Sequence, residues 1–329
     1  MLAMMFGHAG GALPSWHTHV DVWLITLVLG AGYWLAVRRI GPRFVETNAR
    51  GAGTLRRSES GPERPGAVGV ESGKAVPGTP VVTRFQAVCF GLGVATVWLA
   101  SSWPIHDVAE TSMYSVHMVQ HLLLAMVAAP LLLLGTPAWL ARWLLRPPSA
   151  LFRVVRALSR FFPAIAVFNV VLVITHWPAV VDESLTSHPF HFALHALIFV
   201  ASLIIWMPVL SPLPEIPRLA PPMRAVFLFL QSIVPTVPAS FLTFGGKPLY
   251  EFYVGKPHLW GLSTLEDQQT AGLIMKLGAG MLLWAIIAVI FCRWAADEDR
   301  RGHPQRIRRE LDRELEQIRA EAADEGVRR

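Results

Sequence analysis

Residues 115–137 read SVHMVQHLLLAMVAAPLLLLGTP. From Leu122 to Leu134 no side chain is charged or strongly polar. With the turns before it, the run reaches the roughly 20 mostly apolar residues a helix needs to cross hydrocarbon. Its first turns nevertheless carry two imidazoles, His117 and His121, four positions apart and therefore on one helical face. The stretch reads as a membrane-spanning helix with ionisable groups gathered at one end.

The rest of the chain agrees. Six further stretches, at about 20–37, 85–103, 162–181, 190–210, 224–244 and 268–293, meet the same criterion. The fold expected is an all-α integral membrane protein, a bundle of about seven transmembrane helices. Composition supports this: 53% of the 329 residues are hydrophobic and 16% charged, with mean hydropathy +0.43. Soluble domains carry about 25% charged residues. The segment PAWLARWLL (137–145) is too short to span, and Trp139 and Trp143 predict a helix lying at the membrane interface. Cys89 and Cys292 make neither a disulfide framework nor a CxxC motif. The N-terminal MLAMMFGHAGGALPSWHTH lacks a basic leader and reads as the start of the mature chain.

The basic residues orient the bundle. They crowd the loops after the first, third and fifth spans and the segment from Arg293 onward, whereas the opposite loops hold only Lys247 and Lys256. The positive-inside rule then places the N-terminus outside and the C-terminus in the cytoplasm. The formal charge of +6 is thereby a topology signal, and no nucleic-acid partner is expected. Residues 1–19 form an extracytoplasmic segment, 20–296 the membrane domain and 297–329 a charged cytoplasmic tail. Within the membrane domain, 49–80 reads as a disordered cytoplasmic loop, rich in Gly, Pro, Ser and charge. In the tail, Ile307, Leu311, Leu315 and Ile318 carry amphipathic-helix spacing.

Eleven of the twelve histidines fall on the outer side of this topology, and only His303 is cytoplasmic. His117 and His121 on the third span, His176 on the fourth, and His191 and His195 on the fifth arrive at matched depth. Facing helices can direct these five imidazoles into one cavity. Neutral imidazole suits copper, zinc and iron, so a metal site is expected there. His19, His188 and Met113 are outlying candidates for the same ligand set, each with an ordinary reading as an interfacial or packing side chain. His106 and His258 read as loop residues. Gln120 and Asn169 are placed to support the ligands, Gln120 by fixing an imidazole tautomer. Asp267 is expected to cap the N-terminus of its own helix. Lys276 falls near mid-membrane, where a cation faces a cavity or a partner, with carbonyls, water or Gln231 as contacts. Pro235 and Pro238 are expected to kink the sixth span.

Four motifs, SVHMVQHLLLAMVAAPLLLLGTP (115–137), THWP (175–178), HPFHFALH (188–195) and EDQQTAGLIMKLGAG (266–280), resemble the CtaG family of cytochrome c oxidase assembly factors. The resemblance covers roughly 85–293 and implies a bacterial plasma-membrane protein that helps mature the copper centre of a haem–copper oxidase. It implies copper as cargo at His117, His121, His176, His191 and His195. The partners expected are the oxidase catalytic subunit, a copper donor protein and the lipid bilayer, and a homo-oligomer is compatible. The sequence departs from the family at Lys276, where an aromatic would follow Met275. No Ser/His/Asp or paired-carboxylate constellation lies at membrane depth, so no enzyme is expected. Two rivals stand beside this reading. One is a membrane protein holding a single haem between the outer His pairs. The other is a copper or zinc transporter, which would need chelating groups continuing to the inner side.

Overall fold

The computed structural model describes residues 13–44, 81–300 and 315–316. Among them the chain is helical with no strand. The helices are α1 (Val20–Phe44), α2 (Arg84–Ala100), α3 (Ile105–Thr111), α4 (Tyr114–Gly135), α5 (Ala138–Leu145), α6 (Ala150–Leu158), α7 (Phe161–Thr175), α8 (Pro178–Thr186), α9 (His188–Leu210), α10 (Pro221–Phe244) and α11 (Thr264–Arg300). Six helical stretches are long and apolar enough to cross a membrane, and a seventh crossing counts if the bent pair α6 and α7 is one span. The loop 49–80 lies outside the described residues. So does most of the tail, of which Leu315 and Glu316 are helical.

The fourth span differs from the expected 162–181. Its helix ends at Thr175, because Trp177 precedes Pro178 and adopts extended φ/ψ (−69°, 128°). Its 15 residues extend about 22 Å, short of the roughly 30 Å of a hydrocarbon core. At the other end α6 meets it at 89°. His176 therefore sits at a helix C-terminus, and its ring Nδ1 donates to the Leu172 carbonyl at 2.8 Å.

α4 is the central element: 56% of its most apolar window is buried, against 17% for α1 and for α11. It is not a regular helix. Leu123–Ala128 forms a π-turn, in which the Ala129 amide donates to Leu124 O. The next bond in that register would need an N–H from residue 130, which is proline. The orphaned Ala125 carbonyl is instead satisfied by Trp206 Nε1 of α9, at 2.9 Å. A second π-turn, Ile274–Gly278 in α11, contains Lys276, and Gly278 in it lies against Leu122 of α4. In α10 the regular helix is interrupted at Val234–Pro235, as the proline predicts.

Helix starts follow sequence chemistry. α2 opens with a capping box between Thr83 and Gln86, and α11 with one between Ser263 and Glu266. The interfacial helix expected over 137–145 is α5, and its Trp139 donates to Val81 O at 2.9 Å. Away from the histidines, α1, α2 and α4 converge on Gly135. Its carbonyl accepts from Tyr33 Oη at 2.9 Å, and a Cβ there would collide with the Phe90 backbone. Small residues permit such close backbone approach between membrane helices.

Gly135→Ala is expected to lower the thermal midpoint of the detergent-solubilised protein by several degrees. Gly30→Ala, where nothing lies within 4 Å of the added carbon, should leave it unchanged or raise it, since alanine is the better helix former by about 0.5–1 kcal/mol.

Candidate metal centre

α4 is anchored from outside itself. The first amides of a helix have no intrahelical partner, and those of α4 find one on α11. Asp267 Oδ2 accepts from the Tyr114 amide at 2.6 Å, and Oδ1 accepts from the Ser115 amide at 3.2 Å and from the Ser115 hydroxyl. Asp267 thus lies in the first turn of its own helix as expected, but it caps α4. Its own helix is capped by Ser263 and Glu266. The clamp fixes the rotation of the turn that carries His117.

The five imidazoles expected at one depth are together. Ring centroids of His117 and His121 lie 4.5 Å apart, and those of His191 and His195 4.3 Å apart. Across helices, His117 lies 5.6 Å from His191 and 5.4 Å from His195. His121 lies 4.8 Å from His195 and 5.9 Å from His176. The set divides. Ligand nitrogens of His117, His191 and His195 lie within 4.8 Å of one another, while His121 and His176 form a second tier beneath. Imidazole nitrogens about 2.0–2.1 Å from an ion stand roughly 3.4 Å apart. Closing the trio on an ion therefore needs side-chain shifts on the order of 1 Å.

The nitrogens are chemically free to bind. His117 Nδ1, His121 Nε2, His195 Nε2 and both nitrogens of His191 are buried without a hydrogen bond. Buried polar atoms are normally paired, so this concentration of unpaired nitrogens sets the cluster apart from the rest of the interior. At His176, donation from Nδ1 to Leu172 O leaves Nε2 as the lone-pair atom.

One side of the cluster is closed by aromatic side chains. Tyr114 stacks on His117 at 5.7 Å and donates to Tyr250 Oη at 3.1 Å. Tyr250 donates to His176 O at 3.1 Å, and Tyr253 to Ala109 O at 2.7 Å. Burial pushes the Tyr250 phenol up to about 12, so it remains a proton donor across the physiological range.

Other expectations are redrawn. Met113 is fully buried in a separate apolar cluster with Val108 and Leu259; it is a packing residue. Asn169 donates to Gln231 Oε1 at 3.0 Å below the histidines, while Asn169 Oδ1 and Gln231 Nε2 stay buried without a hydrogen bond. Gln120 does hold an imidazole, that of His106, at 3.0 Å between Nε2 and Nδ1. His106 is on α3, buried, and its ring lies 6.2 Å from His191. Glu110, four residues on, was not anticipated. Its Oε1 lies 3.2 Å from His106 Nε2 and 3.0 Å from His191 Nε2, neither with hydrogen-bond geometry. The i, i+4 spacing in HDVAE carried this signal, as it did for the two His pairs. His19 reaches Asp107 at 3.0 Å, and exposed His188 lines a neighbouring cavity. Lys276 is half-buried, 5.8 Å from the Phe244 ring centroid, and borders a small cavity of about 50 Å³ shared with His121, His176 and Gln231. Both cysteines are free and apart from the cluster.

Asp267→Asn is expected to destabilise the solubilised protein by about 1–3 kcal/mol, since it strands a buried amide. The loss should register in the thermal midpoint before any metal is added.

Comparison with known proteins bears on this arrangement. The family model for the cytochrome c oxidase caa3 assembly factor, Caa3_CtaG, matches residues 68–297, which contain all five imidazoles. No curated protein and no solved structure matches the chain.

Proposed function

The chain belongs to the caa3-type cytochrome c oxidase assembly factor family, and from that premise we propose that it carries copper on the histidine cluster and delivers it to the oxidase. The protein is multi-pass, with at least six helices fit to span a bilayer. In this reading it resides in the bacterial plasma membrane with its N-terminus outside, as its basic loops direct. The cluster then faces the extracytoplasmic side. Copper comes from a donor protein, and the recipient is the copper centre of the oxidase catalytic subunit. The role is handling of an ion, with no bond of a substrate made or broken.

The observation that carries the proposal is the convergence of His117, His191 and His195 within 4.8 Å, with buried nitrogens left unpaired. Neutral imidazoles give a borderline donor set that suits copper and zinc; an assembly role at a haem–copper oxidase supports reading the ion as copper. Haem fits less well. A macrocycle needs a planar slot between its two axial imidazoles, and these rings are in mutual contact at 4.3–5.9 Å. Transport to the other side fits less well too. The cavity beneath His121 and His176 is bordered by Lys276, and a cation repels an arriving metal ion. The geometry favours holding over passage.

Purified wild-type protein is expected to retain copper, and His117→Ala and His195→Ala to lose most of it. His176→Ala, in the second tier, should weaken binding by about tenfold, the scale of a supporting-shell loss. Metal analysis after dialysis checks this; retention of wild-type copper by both His117→Ala and His195→Ala would sink the proposal. In cells lacking the protein, the oxidase should assemble with normal haem and depleted copper.

A further inference from the structure

The tyrosines close the deep imidazoles on one side, but the α1 side is open. There a cavity of about 250 Å³ is lined by Asp21, His106, Glu110, His188, His191 and His195. One wall is α3, whose i, i+4 spacing sets His106 and Glu110 on the same face. At the rim, Asp107 holds the chain that leads into α1: its Oδ2 lies 3.0 Å from His19 Nε2 and its Oδ1 3.7 Å from His17 Nδ1. The His19 ring stands edge-on to His106 at 4.7 Å.

These groups form an ordered series. His19 contacts His106, His106 and His191 share Glu110 Oε1 at 3.2 and 3.0 Å, and His191 belongs to the deep trio. Imidazole exposure falls along it, from 65% at His17 through 15% at His19 and 11% at His106 to 6% at His191, with the carboxylates beside them at 9% (Asp107) and 21% (Glu110). Glu110 Oε1 is buried and has no hydrogen bond although it lies between two imidazoles.

We infer that His19, Asp107, His106 and Glu110 form a loading station, through which a metal cation moves from the protein surface into the deep imidazole site. The inference rests on the copper reading above and adds the route and the residues that serve it. The carboxylates do what the deep site's neutral imidazoles cannot: they attract a cation and offset its charge as it leaves water. Ring-to-ring steps of 4.7, 6.2 and 4.3 Å let one ion hold a donor from each of two neighbouring groups. The ion advances by ligand exchange, each new nitrogen or oxygen bond forming as the previous one breaks. Its charge is unchanged and no electron moves. His191 is the hinge of the exchange, because it touches Glu110 on one side and the trio on the other.

The test follows loading in time. Full-length protein in detergent is mixed with Cu(I) as a coloured, water-soluble chelate whose absorbance falls as the ion is taken up. Initial rate and final occupancy are read for wild type, His19→Ala, Asp107→Asn, Glu110→Gln and His117→Ala. Loading is expected to slow by about tenfold or more in the first three variants, the scale of lost electrostatic focusing. His19→Ala and Asp107→Asn should still reach wild-type occupancy, which also reports that they are folded. His117→Ala should load to reduced occupancy. If the His19, Asp107 and Glu110 variants all load at the wild-type rate while His117→Ala loses copper, the loading station is wrong and the deep site stands. If wild type takes up no copper, the copper reading fails and takes the station with it.

Discussion

One carboxylate sets the geometry on which the site depends. A helix entering hydrocarbon brings unsatisfied amides at its N-terminus, and no water is present to meet them. α4 meets this demand with Asp267 of α11, which accepts from the amides of Tyr114 and Ser115 and from the Ser115 hydroxyl. Once these bonds form, the height and rotation of the first turn of α4 are fixed. Tyr114 then stacks on His117 and reaches Tyr250, which in turn holds the His176 carbonyl. Imidazoles of α4 and of the α7 end are thus held in register by one helix-end requirement and the phenols that follow from it.

A second backbone requirement ties the floor of the site to α9. The carbonyl of Ala125 is left without a donor by Pro130 and accepts from Trp206. α9 also carries His191 and His195, so the bond that repairs the α4 backbone sets the distance between the two His-bearing helices. α7 contributes by being short: it stops at Thr175 and leaves His176 at a helix end, its tautomer fixed by Leu172. In each case a defect in regular helix helps position a candidate site residue.

Much of this was legible in the sequence, and the exceptions have physical reasons. Apolar length gave the spans, and i, i+4 spacing with matched depth gave the five imidazoles, because both are local properties of a helix crossing a slab of fixed thickness. The early end of α7 was also written, in Trp177–Pro178, but mean apolarity outweighs one proline when spans are counted. The destination of Asp267 was not legible: a first-turn acid explains itself by its own helix, and only tertiary structure shows it 152 and 153 positions away in sequence from its partners. HDVAE was passed over because a seven-residue helix between spans looks like a loop. Met113 is ambiguous in sequence because a thioether one turn from a histidine looks the same whether it faces a cluster of imidazoles or apolar packing; here it packs with Val108 and Leu259.

The π-turn in α4 has a further consequence, one of phase. A π-turn is a helix with one residue too many, and one residue is worth about 100° of rotation. The histidine half of α4 and the leucine half beyond Pro130 are therefore out of step with any straight helical wheel drawn through both. Removing a residue between Leu123 and Ala128 would restore regular bonding, yet it would swing the imidazoles away from α9 or the leucines away from α2. The extra residue works as a phase shifter, by which one continuous helix serves two sets of neighbours that no evenly wound helix could face at once.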